Sequence, residues 1–387
     1  MAAIGLTQRE SAHLDMIRGI SAVAVVASHV RGLFFVDYSV VVRKTSVLSL
    51  LYAVTGLGHQ AVLVFFVLSG FFIGGSVLSA LSRWSWKKYL VNRLARLYLV
   101  LLPALIITAI LDYIAYRGPA GHQYFDHAVR NFTAAPLAGR HSLAIFLGNA
   151  GFLQTIAVPA FGSDTPLWSL ANEFWYYLLF PVLAIAAFGR ERTRNRLYAG
   201  VAAIALFAFL PQGMRWGFLT WLFGVGVYGM PKIKVPGALR WCLHLLTVAA
   251  FAAVLFLSRA QRIPAQWSDL AVGLTFALSL FCLVRIESSR RAIVFAYQRI
   301  ARVASGCSYS VYAVHFPVVM LIRCWAGTQE WQPSPESLTI WSAVLVAILF
   351  VGFLFSRLTE LHTETVRVKL MTITLEKPLS RVAAAGA

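Results

Sequence analysis

Residues 14–35 read LDMIRGISAVAVVASHVRGLFF. Twenty or so mostly apolar residues are what a helix needs to cross a bilayer. Four ionisable side chains, Asp15, Arg18, His29 and Arg31, fall within this run, and the pair Arg18 and His29 is the informative one. On insertion scales such a residue costs roughly 2.5–3.5 kcal/mol at the centre of a span, so its presence marks function more often than accident. The step from 18 to 29 is i to i+11. At about 100° per residue it returns almost to the same helix face, with a rise of ~16 Å. One face thus carries a fixed cation near one end and an imidazole much deeper. The competing reading is a snorkelling arginine plus a histidine that bonds to a neighbouring helix.

The rest of the chain agrees with a lipid solvent. Of 387 residues, 59% are hydrophobic and 13% charged, against about 45–50% and 25% in soluble domains. That excludes a disordered chain and leaves too little polar surface for a soluble enzyme. Clear further spans lie near 57–80, 94–114, 168–188, 239–258, 268–285, 307–325 and 338–357. The stretch 196–230, split by Pro211-Gln212-Gly213, reads as two short spans. The expectation is therefore an all-α, polytopic membrane protein of about ten transmembrane helices, with a core over 1–358. A tail over 359–387 is amphipathic at its start and then frays. Placing both termini in the cytoplasm puts most of the lysines and arginines at the inner face, as the positive-inside rule requires. The net charge of +19 is then largely topogenic, and a nucleic-acid partner is not expected. A crossing at 143–158 would invert that bias downstream, so this segment reads as re-entrant or interfacial. The first span lacks a convincing cleavage site and reads as uncleaved. Four cysteines without a CxxC pair indicate neither a disulfide framework nor a zinc site, and no metal is expected.

Other polar residues sit where lipid should exclude them. In Ser69-Gly70-Phe71-Phe72-Ile73-Gly74-Gly75 the glycines favour close helix packing. Arg93 and Arg96, one turn apart, suit phosphate capture, with topogenic charge as the plainer reading. Glu173, in Trp168-Ser169-Leu170-Ala171-Asn172-Glu173, could accept a proton, orient His29, or form half of an ion pair. Ser308, Tyr312 and His315 share a helical stripe, next to Tyr309. They would line a polar cavity or form an interhelical hydrogen-bond cluster. His13, His59, His122, His127, His141 and His362 fall in loops or tails and receive no role.

In order, Arg18 and His29, Ser69-Gly70-Phe71-Phe72, Arg93/Arg96, Trp168-Ser169-Leu170 with Glu173, Pro181, and Ser308-Tyr309 through His315-Phe316-Pro317 resemble the acyltransferase-3 family of membrane O-acyltransferases over residues 13–358. The resemblance implies transfer of an acyl group, usually acetyl from acetyl-CoA, to hydroxyls of cell-surface or lipid-linked carbohydrates. It also implies a multi-pass protein of the bacterial inner membrane with no permanently bound cofactor. It casts Arg18 and His29 as the family's Arg–x10–His pair and Arg93 and Arg96 as its basic patch. The family's acidic motif often has two successive carboxylates, whereas only Glu173 stands here, before Phe174 and Trp175.

On that resemblance, coenzyme A phosphates sit near Arg93, Arg96 and Arg18, and His29 serves as general base or transient acyl carrier. Arg18 and Glu173 assist it. Ser69, Trp168, Ser308, Tyr309, Tyr312 and His315 line the substrate pocket. A transporter or flippase for a lipid-linked glycan is the competing class. Such proteins often show internal repeats, and none stands out here.

Overall fold

The computed structural model describes residues 5–375 except 131, 191 and 287–294. Arg290, Arg291, Lys377 and Arg381, and with them the far part of the expected tail, lie outside the described residues. The chain folds into helices α1 (Gln8–Phe34), α2 (Ser46–Val54), α3 (Gly58–Ser69), α4 (Gly75–Ala80), α5 (Trp86–Tyr116), α6 (Gly121–Phe125), α7 (Leu143–Ala150) and α8 (Trp168–Phe188). These are followed by α9 (Thr193–Phe209), α10 (Gln212–Gly229), α11 (Gly237–Arg259), α12 (Ala265–Val284), α13 (Phe295–Gly306), α14 (Ser308–Ala326), α15 (Pro335–Leu358) and α16 (Thr363–Leu375). Only isolated bridges, and no strand, occur among the described residues.

Among the described residues, eight helical stretches are long and apolar enough to cross a membrane: α1, the stack 46–83, α5, α8 with its lead-in, α11, α12, α14, and 335–373. They coincide with the eight long spans read from the sequence. The two short spans expected within 196–230 are present as α9 and α10, of 17 and 18 residues. Neither is both long and apolar enough to join the eight by itself. The chain breaks between them at Leu210-Pro211, both outside helical geometry. α7 has eight residues, a rise of ~12 Å that cannot cross the hydrocarbon. Asn149 folds its far end back by donating to the Ile145 and Pro159 carbonyls and accepting from the Phe161 N–H.

Local signals account for the helix ends. Thr7 and Glu10 form a reciprocal capping box at α1, satisfying two amide donors that would otherwise have no partner. Ser334 and Ser337 do the same at α15, with Pro335 in the first turn, where a missing N–H costs nothing.

α14 is the centre of the bundle, packed on α1, α5 and α15, and 72% of its most apolar stretch is buried. α11, packed on α12, has none of its most apolar stretch buried and presents it to lipid. α13, in the connection between the expected spans 268–285 and 307–325, lies along α1. Its buried residues are Gln298, Ala301 and Ser305. α13 does carry an apolar stripe, but Phe295, Ile300 and Val303 on it are exposed, so its hydrophobic period does not mark the side that meets α1.

Between α3 and α4 the helix makes a π turn over Gly70–Gly74, and α10 crosses it at contact distance. A Cβ on Gly224 would lie 1.9 Å from the Val67 carbonyl oxygen, and one on Gly70 1.9 Å from the Trp221 carbonyl oxygen. Both obstacles are backbone, so neither can step aside. Gly226, on the same helix, has nothing within 4 Å of that position. Gly224→Ala is therefore expected to destabilise by at least the roughly 1–3 kcal/mol typical of overpacking. Gly226→Ala is expected to be neutral or to gain up to about 1 kcal/mol. Thermal unfolding of the two detergent-solubilised variants checks the contrast, and equal melting points would contradict the close crossing.

Candidate active site

The long α1 holds Arg18 and His29 on one uninterrupted helix, as their spacing requires. At the deep end, His29 Nδ1 lies 2.7 Å from His315 Nε2, and His315 Nδ1 lies 2.7 Å from the Tyr312 carbonyl oxygen. A carbonyl only accepts, so His315 carries its proton on Nδ1 and offers Nε2 as acceptor. His29 must then donate from Nδ1, which leaves its Nε2 lone pair available. The two rings are parallel, with centroids 5.0 Å apart. Phe132 and Phe316 stand edge-on to His29. His315 is fully buried, whereas His29 is only half-buried. The side chain hydrogen-bonded to His29 is thus His315, and of the three roles left open for Glu173 the geometry does not support orienting His29.

Glu173 belongs to another group. Tyr177 donates to its carboxylate at 3.0 Å, and Ser69 Oγ lies 3.2 Å from the Tyr177 hydroxyl while accepting from Trp221 Nε1 at 3.1 Å. Arg18 and Arg96 are close enough for their charges to act on Glu173.

At the other end of α1, Arg18 donates to Ser305 Oγ at 2.9 Å, and that hydroxyl donates to Asp15 at 2.8 Å. Arg96 faces Glu360 at 4.0 Å. The other Glu360 oxygen accepts from the Ser310 N–H and hydroxyl, at 3.1 and 3.0 Å. Arg93 lies over the Tyr89 ring at 5.9 Å, with its buried Nε unpaired. Arg18, Arg93 and Arg96 thus converge at one end, answered by Asp15, Glu173 and Glu360. Glu360 falls in the expected tail 359–387. Residues 359–375 of that tail pack against the core, with Arg367 of α16 reaching Asn92 of α5 at 3.4 Å.

The expected pocket residues divide. Ser308 donates to the Ser305 carbonyl, Tyr309 to the Leu97 carbonyl and Tyr312 to the Pro166 carbonyl, while Ser169 bonds the Tyr312 hydroxyl at 2.6 Å. These hydroxyls tie helices together, which is the interhelical-cluster reading of the stripe; His315 alone extends it to His29. Trp168 stacks on His59 and meets Phe66 edge-on. His59 in turn bonds Asp269 at 2.8 Å, a pairing that sequence distance concealed.

Phe132 reaches His29 from the connection between α5 and α8, and a buried clasp fastens that connection. Asp112 of α5 accepts from the Ser163 N–H at 2.7 Å, the Ser163 hydroxyl at 2.6 Å and His141 at 2.9 Å. Gly162 is required beside it. Its φ is +54°, and a Cβ there would lie 2.2 Å from the Asp112 carboxylate. Burial, with Asp112 nearby, raises the Asp164 carboxyl well above the usual carboxylate range. One of its oxygens is buried and unpaired.

The fold defines a multi-pass helical membrane protein with an ordered imidazole pair deep in its bundle. Residues 11–357 match the acyltransferase-3 family, described as an acyltransferase domain, and the chain belongs to that family. It is similar to the "Putative peptidoglycan O-acetyltransferase YrhL" of Bacillus subtilis (strain 168), 23% identical over 301 residues. That match covers 68% of this chain and 44% of the relative, so the chain spans under half of the relative's length. It is also similar to an uncharacterized protein of Haemophilus influenzae Rd, 27% identical over 233 residues, covering 58% of this chain and 87% of that one. No solved structure matches the chain.

The clasp yields a prediction with a sign. A carboxyl raised by burial is held protonated in the folded state, so stability falls as pH rises through its folded pKa. Asp164→Asn, which keeps the neutral shape, is expected to match or exceed the wild-type melting point, with the advantage growing as pH rises. Asp112→Asn is expected to lose about 1–3 kcal/mol because an amide has one acceptor oxygen where three donors now share two. Thermal unfolding of both variants across pH checks this. A destabilised Asp164→Asn protein at every pH would contradict it.

Proposed function

We propose that the chain is a membrane O-acyltransferase, moving an acyl group, most simply acetyl, from acyl-CoA to a hydroxyl of a cell-surface or lipid-linked carbohydrate. The observation that carries this reading is the one-way hydrogen-bond chain from the Tyr312 carbonyl through His315 to His29. It presents a neutral imidazole with a free Nε2 lone pair in a half-buried position. Membership of the acyltransferase-3 family supports it. So does the name of the Bacillus relative, which makes peptidoglycan one candidate acceptor.

In the step we infer, His29 Nε2 removes the proton from the acceptor hydroxyl as its oxygen attacks the thioester carbonyl. The C–S bond then breaks, and the coenzyme A thiolate takes that proton from the His29 imidazolium, which returns to the neutral form. His315 keeps His29 in the right tautomer and stabilises the imidazolium through the bond from Nδ1. A carboxylate fills that place in many triads; a neutral imidazole does so here without adding a buried charge. Arg93, Arg96 and Arg18 offer guanidinium groups to the phosphates of coenzyme A, ~16 Å along α1 from His29. Glu173 and Glu360 keep those cations compensated before the donor arrives. The half-buried Trp168 ring, stacked on His59, offers a flat face to a sugar. The bacterial inner membrane, with the Arg18 end of α1 toward the cytoplasm, is the setting this reading requires.

His29→Ala is expected to fold and to lose acyl transfer by at least 10²–10⁴-fold, the range of general-base catalysis. His315→Phe, similar in bulk but with no acceptor nitrogen, is expected to lose about 10²-fold in kcat with little change in KM for acyl-CoA. Arg93→Ala combined with Arg96→Ala should raise that KM at least tenfold. The assay is carbohydrate-dependent release of free coenzyme A by the purified protein. Full turnover by His29→Ala would overturn the proposal, and turnover-free binding of coenzyme A would return the chain to a non-enzymatic class.

A further inference from the structure

A second feature of the bundle lies on the other side of α1 from the Arg18–His29 face. Between α1, α11, α12 and α13 the structure holds a cavity of about 1200 Å³, above the roughly 300–1,000 Å³ of ordinary small-molecule sites. Its lining changes character along its length. One end is formed by Arg9 and His13 of α1, Arg240 and His244 of α11, and Tyr297 of α13. The other end is apolar, with Ile20, Val64, Val248 and Phe276. Val64 and Phe276 are buried as its floor, while Ile20 is 61% and Val248 43% exposed at its mouth. The mouth therefore opens sideways, on the helix whose apolar face meets lipid.

We propose that this groove is a binding site for an anionic phospholipid. Charge complementarity decides the head. Arg9 and Arg240 bring two fixed cations, and two histidines flank them. The nearby carboxylate of Glu10 is already engaged by the Thr7 N–H at 2.7 Å and by Lys232 at 3.7 Å. Arg9 Nε donates to His13 at 3.3 Å, and His13 Nδ1 bonds the Tyr297 hydroxyl at 2.8 Å, so the polar end is a built network and not a set of loose side chains. Basic pockets between transmembrane helices are the usual seats of anionic headgroups. Length decides the tail. From Arg9 to Ile20 is eleven residues, ~16 Å along the helix, about half of a hydrocarbon core of roughly 30 Å. The groove thus matches one leaflet, with the headgroup at the level of Arg9 and the chains beside Ile20 and Val248. The site is independent of the acyl-transfer reading, since none of these side chains takes part in it.

Native mass spectrometry of the full chain, with palmitoyl-oleoyl phosphatidylglycerol or phosphatidylcholine at equal concentration, tests the inference. Phosphatidylglycerol is expected to be retained at least tenfold better. Arg9→Ala combined with Arg240→Ala should erase that preference. Ile20→Trp, a substitution at an exposed position that fills the mouth, should lower retention of phosphatidylglycerol at least fivefold without moving the melting point. Equal retention of the two lipids by the wild-type protein would overturn the proposal without any variant. So would a preference that survives the double substitution, unchanged retention in Ile20→Trp, or displacement of phosphatidylglycerol by free coenzyme A.

Discussion

The hydrogen bond between His29 and His315 joins the first long helix to the central one, and its direction is settled by a group that cannot reverse it. A backbone carbonyl has no proton to give, so the Tyr312 oxygen sets the tautomer of His315, which sets that of His29. In water such a chain would exchange freely. Within a packed bundle each donor must find an acceptor in the protein, because the alternative is a bare polar group in hydrocarbon. The rest of α14 obeys the same constraint: Ser308, Tyr309, Tyr312 and Ser310 all close their hydrogen bonds on neighbouring elements. These bonds hold the helix in the register that brings His315 to His29.

The Arg18 end of α1 follows a different rule. Three arginines gather there, and the acids that answer them come from distant parts of the chain: Asp15 on the same helix, Glu173 at the head of α8, and Glu360 beyond α15. A chain with only 15 acidic residues places three of them in this cluster. Ser305 bridges Arg18 and Asp15, so α13 serves the site through its small buried side.

Much of the fold was legible because lipid is a strict solvent. The eight long apolar stretches, the short α7 that does not cross, and the exceptional Arg18 and His29 follow from what hydrocarbon excludes. Pairings between helices were not legible, since they depend on register that periodicity does not carry. That is why the sequence leaves three roles open for Glu173 and does not pair His29 with His315. Glu360 was missed because it follows the last apolar run, where polar residues are unremarked. α13 was missed because its buried side is made of Gln298, Ala301 and Ser305. The hydroxyl stripe on α14 was seen, but only the bonds of each hydroxyl separate a lining from a seam.

The π turn at Gly70–Gly74 has a bearing on how this helix tolerates change in length. A π turn accommodates one more residue than the α-helical path around it, so it resets the phase of everything that follows. Deleting one residue within 70–74 would remove that extra residue and leave α4 in its present phase, whereas straightening the turn into α geometry with all its residues kept would swing α4 by about 100°. Gly74 and Gly75 would turn away from Val225 and Tyr228, which they now meet at contact distance, while Ser69 stayed with Tyr177 and Trp221. The turn therefore works as a phase adjuster, letting one continuous stack of helix serve the polar cluster with its upper half and a close glycine seam with its lower half.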